Sequence, residues 1–356
     1  MNDWLATYDE RDWRTTTEGT VRFALVGLGW WTTDVAIPAI AGSDLCETTV
    51  LVSSSTEKAE RVAATNDVDH GISYDEFHDG EATDAYDAVY VATPNALHLE
   101  YVETAAELGK AVLCEKPMEA TVERAQDMVD AAEDGDVTLM IAYRMHTEPA
   151  VRRARDLVAD GFLGTPVSVY GHNSQRLLEM NPDPDQWRVD PDVTGYGTSV
   201  MDLGIYSFNT ARYLLRREPI EVRSLMSSHA EAFADVPDER SSSLVRFEDD
   251  VQMVSSASQN AYEDTQLKLT GTDGQIELRP AFHGEATLHL SKHDLSVTVE
   301  HEAFDEVDEM REEFDYFADR VLTDADVYAD GEHGLDDLRL VRAVHDAAET
   351  GDAVRL

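Results

Sequence analysis

Residues 21–40 constrain the fold more than any other stretch. Val21-Arg-Phe-Ala-Leu-Val26 is a short apolar run. Gly27-Leu28-Gly29-Trp30-Trp31-Thr32 follows at once, and a helical pattern then continues to Ile40. A brief apolar run cut by glycines and followed by a helix reads as a buried strand turning tightly into that helix. Gly27 allows the turn. Gly29 lets an anion approach the backbone at the helix N-terminus, where unpaired N–H groups and the helix dipole favour negative charge. Thr32 stands where a third glycine is usual, which predicts a looser fit of helix to strand. A second strand, Thr48-Thr-Val-Leu-Val52, follows, and strand–helix alternation continues to Thr138-Leu-Met-Ile-Ala-Tyr143. This is the pattern of a parallel sheet that binds a dinucleotide at its first turn.

The chain is too long for one core, at 356 residues, and predicts two domains. After Arg144 the grammar changes. A helix over 149–160 leads into strands at 167–170, 220–226, 244–247, 251–256, 267–270, 286–290 and 296–300. One long helix over 199–216 interrupts them, and helices over 308–322 and 334–349 close the chain. The expected class is α/β: an N-terminal Rossmann domain plus a C-terminal α+β domain with a mostly antiparallel open sheet. The expected divisions are an arm at 1–20, the dinucleotide-binding domain at 21–145 and a substrate and oligomerisation domain at 146–356. Trp4, Tyr8 and Trp13 give the arm enough aromatic surface to dock.

Acids outnumber bases 72 to 28, for a net charge of −44, and the excess runs through most helix faces. With 42% hydrophobic residues and regular alternation, the acid is a surface property and not a sign of disorder. Such a surface suits concentrated salt, as in a halophilic cell. It offers no basic patch, so nucleic acid is not an expected partner. Cys46 and Cys114 are the only cysteines and sit in apolar contexts, which argues against a disulfide framework or a cysteine zinc site. No histidine–acid spacing resembles a metal site. No window is apolar for the length of a membrane helix, and the acidic opening is unlike a signal peptide, so a cytoplasmic protein is expected.

Two further places carry chemistry. Glu115-Lys116-Pro117 falls where the strand 111–113 leaves the sheet, and Pro117 stops that strand. Strand ends of an open α/β sheet are where ligands bind, although a lone Lys116 there also reads as an ordinary surface lysine. The Lys116–Pro117 bond is a candidate for the cis form. The second strand ends in Ser53-Ser54-Ser55, with Lys58 beyond, where an NAD enzyme usually carries an acid. Small hydroxyls and a cation suit a 2′-phosphate, hence NADP over NAD. Ser55 or Thr56 also reads as a helix cap, and both readings can hold together. On the helix 199–216, Asp202 and Tyr206 are four apart and project from one face. They read either as a core tyrosine satisfied by an acid or as a functional pair facing Lys116.

Gly27-Leu-Gly29, Thr93-Pro-Asn-Ala-Leu-His98, Cys114-Glu-Lys-Pro-Met118, Met140-Ile-Ala-Tyr-Arg144 and Met201-Asp-Leu-Gly-Ile-Tyr206 together resemble the Gfo/Idh/MocA oxidoreductase family. Asn181-Pro-Asp-Pro-Asp-Gln-Trp-Arg188 and Asn209-Thr-Ala-Arg-Tyr-Leu-Leu215 resemble its glucose–fructose oxidoreductase branch. The resemblance covers the chain after residue 20. It implies a nicotinamide cofactor and a second domain whose sheet forms subunit contacts, hence a homodimer or homotetramer. It implies Lys116, Asp202 and Tyr206 as the catalytic group, with tyrosine at 206 favouring the aldose branch over inositol dehydrogenases.

For the cofactor, the glycine turn and second-strand end read above give Gly27, Gly29, Trp30, Trp31, Ser53, Ser54, Ser55 and Lys58, and the resemblance adds Thr93, Pro94, Asn95, His98, Glu115, Lys116, Arg144 and Arg188. His98 is expected there as a backbone-bonding residue and not as a catalyst. For the sugar it implies Lys116, Arg144, His146, Asn173, Trp187, Asp202 and Tyr206. The implied activity is oxidation of C1 of a pyranose to the lactone with NADP. The alternatives are sugar–sugar oxidoreduction, polyol oxidation, or a sensor of the same fold without turnover.

Overall fold

The computed structural model describes Trp13, residues 18–300 and residues 308–356. Trp4 and Tyr8 of the expected arm lie outside the described residues. Trp13 is buried in the core, edge-on to Tyr316 at 6.0 Å. The described residues within 13–144 and 308–338 form one compact unit. Those within 145–307 and 339–356 form the other.

The first unit is built on six strands: β1 (Val21–Val26), β2 (Cys46–Ser53), β3 (His70–Ser73), β4 (Ala88–Val91), β5 (Ala111–Glu115) and β6 (Leu139–Ala142). Their order is β3-β2-β1-β4-β5-β6, and every pairing is parallel. Strands covered on both faces read as unbroken apolar runs, as Val50–Val52 and Ala88–Val91 do. The chain order reverses at β1, with β2 on one side and β4 on the other. Ligands of such sheets bind at the strand carboxyl ends beside that reversal. The helix Glu309–Thr323 returns to this unit late in the chain. Its Phe314 and Phe317 stand 5.4 and 5.9 Å from Phe23, and Phe314 stands 5.1 Å from Tyr90.

The second unit carries β7 (Pro166–Arg176), β8 (Pro219–Ser227), β9 (Arg240–Phe247), β10 (Gln252–Ser258), β11 (Asn260–Gly271), β12 (Gly274–Leu278), β13 (Leu288–Lys292), β14 (Leu295–Val299) and β15 (Val354–Arg355). They make one sheet in the order β14-β13-β12-β11-β7-β10-β9-β8-β15, antiparallel except for β7 beside β10. The sequence predicts most of these strands but misses β3, β12 and β15. The largest departure is the helix expected over 199–216. It opens as a wide π-type turn, Val200–Gly204, in which the Ile205 amide donates to the Val200 carbonyl, and becomes α-helical at Ile205–Leu215.

Candidate active site

In the first unit the glycine loop is set by contact with its neighbour. Gly27 has φ +95°, and a Cβ there would meet the Ala92 carbonyl oxygen at 2.7 Å. No side chain fits between these two strand ends. At Gly29 an added Cβ would meet nothing within 4 Å, so packing inside the protein does not demand glycine there. Thr32 does not loosen the loop as its departure from glycine predicts. It is fully buried, and its hydroxyl donates to the Gly27 carbonyl at 2.5 Å, tying the turn to its helix. That helix also begins with a π-type turn, Thr32–Ala36, a feature frequent at functional sites. Trp30 is exposed and stands edge-on to Trp31 at 5.5 Å.

Trp31 Nε1 donates to Glu115 Oε1 and to the Tyr90 hydroxyl, each at 3.0 Å. Tyr90 donates to the same Glu115 oxygen at 2.6 Å, and the Lys116 amide donates to Glu115 Oε2 at 3.1 Å. Glu115 is thus a fixed post beside the half-buried Lys116, whose bond to Pro117 is cis. Burial, with Glu115's charge, pushes the Tyr90 phenol well above its ordinary range. Arg144 is buried and pairs with Glu309 of the returning helix. Glu313 on that helix is fully buried. Burial and the charge of Glu115 push its carboxyl well above the usual range, against the pull of Arg144. Cys46 and Cys114 are buried free thiols.

His98 is 1% exposed, with Nε2 2.8 Å from the Thr93 carbonyl oxygen and Nδ1 3.1 Å from that of Met118. It clips the loop after β4 to the loop after β5, which is the structural role expected of it. In the same loop Thr93 and Asn95 are buried and Pro94 is half-buried. At the end of β2, Ser53 is fully buried with a hydroxyl that has no hydrogen-bond partner, while Ser54 and Ser55 are exposed. Ser55 is the helix cap, accepting from the Lys58 amide at 3.3 Å, and the Lys58 side chain is half-buried.

In the second unit every residue from Val200 to Leu215 is buried except Asp202 and Tyr206. The stretch therefore opens at just these two positions, although the π-type turn between them replaces regular four-residue spacing. Asp238, fully buried, caps its start: Oδ1 accepts from the Thr198 amide at 2.6 Å and Oδ2 from the Val200 amide at 2.8 Å.

Asp202 Oδ2 accepts from Arg188 Nε at 3.2 Å and from Gln259 Nε2 at 2.8 Å. The Arg188 guanidinium lies over the Trp187 ring at 4.4 Å. Arg188, expected at the cofactor, is thus placed on the carboxylate expected at the sugar. Asn173 is fully buried: Nδ2 donates to the Leu203 carbonyl at 3.2 Å, and Oδ1 has no hydrogen-bond partner. His146 lies flat on Tyr213, with ring centres 4.2 Å apart. Tyr206 packs on Phe282 at 5.8 Å and edge-on to His283 at 5.5 Å. The loop carrying those two is pinned by Thr265 Oγ1, which accepts from the amides of Ala281 and Phe282. Gln259, Asp238, Phe282 and His283 have no motif around them, and nothing in the sequence singles them out.

A family model described as an oxidoreductase family with an NAD-binding Rossmann fold matches residues 21–143. A second, the GFO/IDH/MocA C-terminal domain, matches residues 151–277. The chain is 54% identical over 354 residues to the D-xylose 1-dehydrogenase [NADP(+)] of Haloarcula marismortui, covering 98% of this chain and 97% of that one. It is 32% identical to a D-xylose 1-dehydrogenase (NADP(+)) of Haloferax volcanii, covering 94% of this chain and 99% of that one. Among solved structures, the aldose-aldose oxidoreductase of Caulobacter crescentus complexed with glycerol superposes with a TM-score of 0.89 at 29% identity, covering 95% of this chain and 100% of that one. With both halves matched by the family's two models and relatives aligned nearly end to end, the chain belongs to the Gfo/Idh/MocA oxidoreductase family.

Proposed function

We propose that this chain is an NADP-dependent D-xylose 1-dehydrogenase, oxidising C1 of the pyranose to the lactone. The identity to the Haloarcula enzyme supports the substrate and the cofactor. The observation that carries the chemistry is the pair Asp202 and Tyr206, the two openings in an otherwise buried helical stretch. The loop residues fit the cofactor. Gly29 leaves backbone bare for a pyrophosphate. The buried Ser53 hydroxyl lacks a partner that a ribose could supply, and Lys58 offers the 2′-phosphate a cation. When bound, NADP supplies the hydride acceptor.

The C1 hydroxyl must lose its proton as the hydride leaves, and Tyr206 takes it. Lys116 is proposed as the donor to the developing alkoxide. Asp202, held by Arg188 and Gln259, orients the sugar. The unit of residues 21–144 with 308–338 is proposed as the cofactor domain and that of 145–307 with 339–356 as the substrate domain, so the segment 308–338 leaves the expected 146–356 division, in a cytoplasmic enzyme. Self-association is proposed through the open face of the nine-stranded sheet. There Leu244, Val254 and Tyr170 are cross-strand neighbours, 56%, 44% and 41% exposed.

A screen of pentoses and hexoses with NADP and with NAD, in molar KCl, tests the reading. Release of NADPH with D-xylose as the best substrate is expected. Turnover only with a second sugar as acceptor, or none with any aldose, would sink it.

A further inference from the structure

We infer that Gln259 positions Asp202 for the reaction, as the middle of an amide relay that begins at Gln175. The inference rests on the reading of Asp202 as a site residue. Gln259 Nε2 donates to Asp202 Oδ2 at 2.8 Å, and Gln259 Oε1 accepts from Gln175 Nε2 at 2.8 Å. The direction of the relay is fixed by chemistry. An ionised carboxylate only accepts, so the Gln259 nitrogen faces Asp202 and its oxygen faces the nitrogen of Gln175.

The backbone of Gln259 is held as firmly as its side chain. Its amide donates to Ser199 Oγ at 3.0 Å and to the Glu239 carbonyl at 3.1 Å, and its carbonyl accepts from the Leu177 amide at 2.9 Å. Gln259 is fully buried, and a buried amide is costly unless both its ends are bonded. Both ends are bonded here, one of them to the acid that opens beside Tyr206. Arg188 Nε reaches the same Oδ2 from its stack on Trp187. Two donors arriving at one oxygen fix the plane of the carboxylate. That matters because Asp202 sits on a π-type turn and not on a regular helix. Gln259 has no proton to give or take in the reaction. It is a positioning residue.

Kinetics of Gln259→Met, Gln259→Glu and Asp202→Asn with D-xylose and NADP in molar KCl test the relay, alongside NADP binding and melting temperature. Gln259→Met keeps volume and removes the donor. Its kcat/KM for the aldose should fall by up to about 10²-fold, the cost of misplacing a reacting group by about an ångström, with NADP binding unchanged. Gln259→Glu keeps the bond from Gln175 but presents an acceptor to Asp202. Its activity relative to wild type should recover as the pH falls and the introduced carboxyl gains a proton to donate. A ratio flat with pH, or a folded Gln259→Met enzyme equal to wild type, would overturn the relay. Normal turnover by Asp202→Asn would instead overturn the reading of the site. Should the wild type ignore D-xylose, the proposed substrate fails, and the same variants are compared on the aldose it does oxidise.

Discussion

His345 Nε2 lies 3.9 Å from Asp238 Oδ2 in the interior of the second unit, at the start of the helical stretch that carries Asp202 and Tyr206. Gly197 passes so close that a Cβ on it would meet Asp238 Oδ1 at 2.3 Å and His345 Cε1 at 2.5 Å. Burial pushes the Asp238 carboxyl up to about 7, against the amides that pull it down. Burial also pushes the His345 imidazole down to about 4.

The two shifts oppose each other in stability. For Asp238 the folded state resists losing the proton, so its cost is absent below about 3.8 and complete above about 7; stability falls as pH rises between them. For His345 the folded state resists gaining one, so its cost is complete below about 4 and gone above about 6.5; stability rises with pH. Single variants should unmask each slope. Asp238→Asn should gain in melting temperature on the wild type as pH rises from about 4 to about 7. His345→Phe should lead the wild type near pH 4 and lose that lead by about 6.5. Thermal unfolding in molar salt at stepped pH measures both. Differences that stay flat with pH would contradict the assignment.

The net charge of −44 predicts salt dependence. At about 1 M salt the screening length is roughly 3 Å, and at about 0.01 M it is roughly 30 Å, so dilution lets the acidic surface repel itself across the molecule. The melting temperature should drop steeply between molar and millimolar KCl. An unchanged melting temperature would contradict this.

Lys58 follows the capping Ser55 by one turn, and no acid stands at residues 53–55. Lys58→Ala should raise KM for NADP and leave KM for NAD nearly unchanged. Equal effects on the two cofactors would remove Lys58 from the phosphate site.

Tyr206→Phe should keep its fold and its NADP binding and lose turnover by about 10²-fold or more, the usual range for removing a general base. Lys116→Ala should do similar damage, and the double variant should be little worse than either, because groups that act as a unit are not additive. A Tyr206→Phe enzyme with near-normal turnover would take the base role from it.

What the sequence made legible was local. The strand, glycines and helix of residues 21–40 lie side by side in the chain, as do the parts of Glu115-Lys116-Pro117. Each could be read because its partners are sequence neighbours. β3 was missed because, of its four residues, only Ile72 is buried, too few to show a period. Thr32 misled because its bond to the Gly27 carbonyl replaces what a glycine would have given by closeness. Gln259 and Asp238 could not be read at all. Each acts on the start of the helical stretch that carries Asp202 and Tyr206, through hydrogen bonds spanning 38 to 60 residues, which no local pattern encodes.

The faces of Phe23 and Tyr90 are covered by Phe314 and Phe317, from a helix near the other end of the chain. The Ile141 amide likewise waits for the carbonyl of Ala329. On the ribosome the chain emerges from its N-terminus, and domains generally fold as units once their residues are out. Here the unit that starts first finishes nearly last. Its parallel strands leave the exit tunnel well before their cover, and the strands β7 to β14 are translated while the first unit is still half-closed. A chain cut short before Glu309 would lose the closure of the domain with which it began, and not merely a tail.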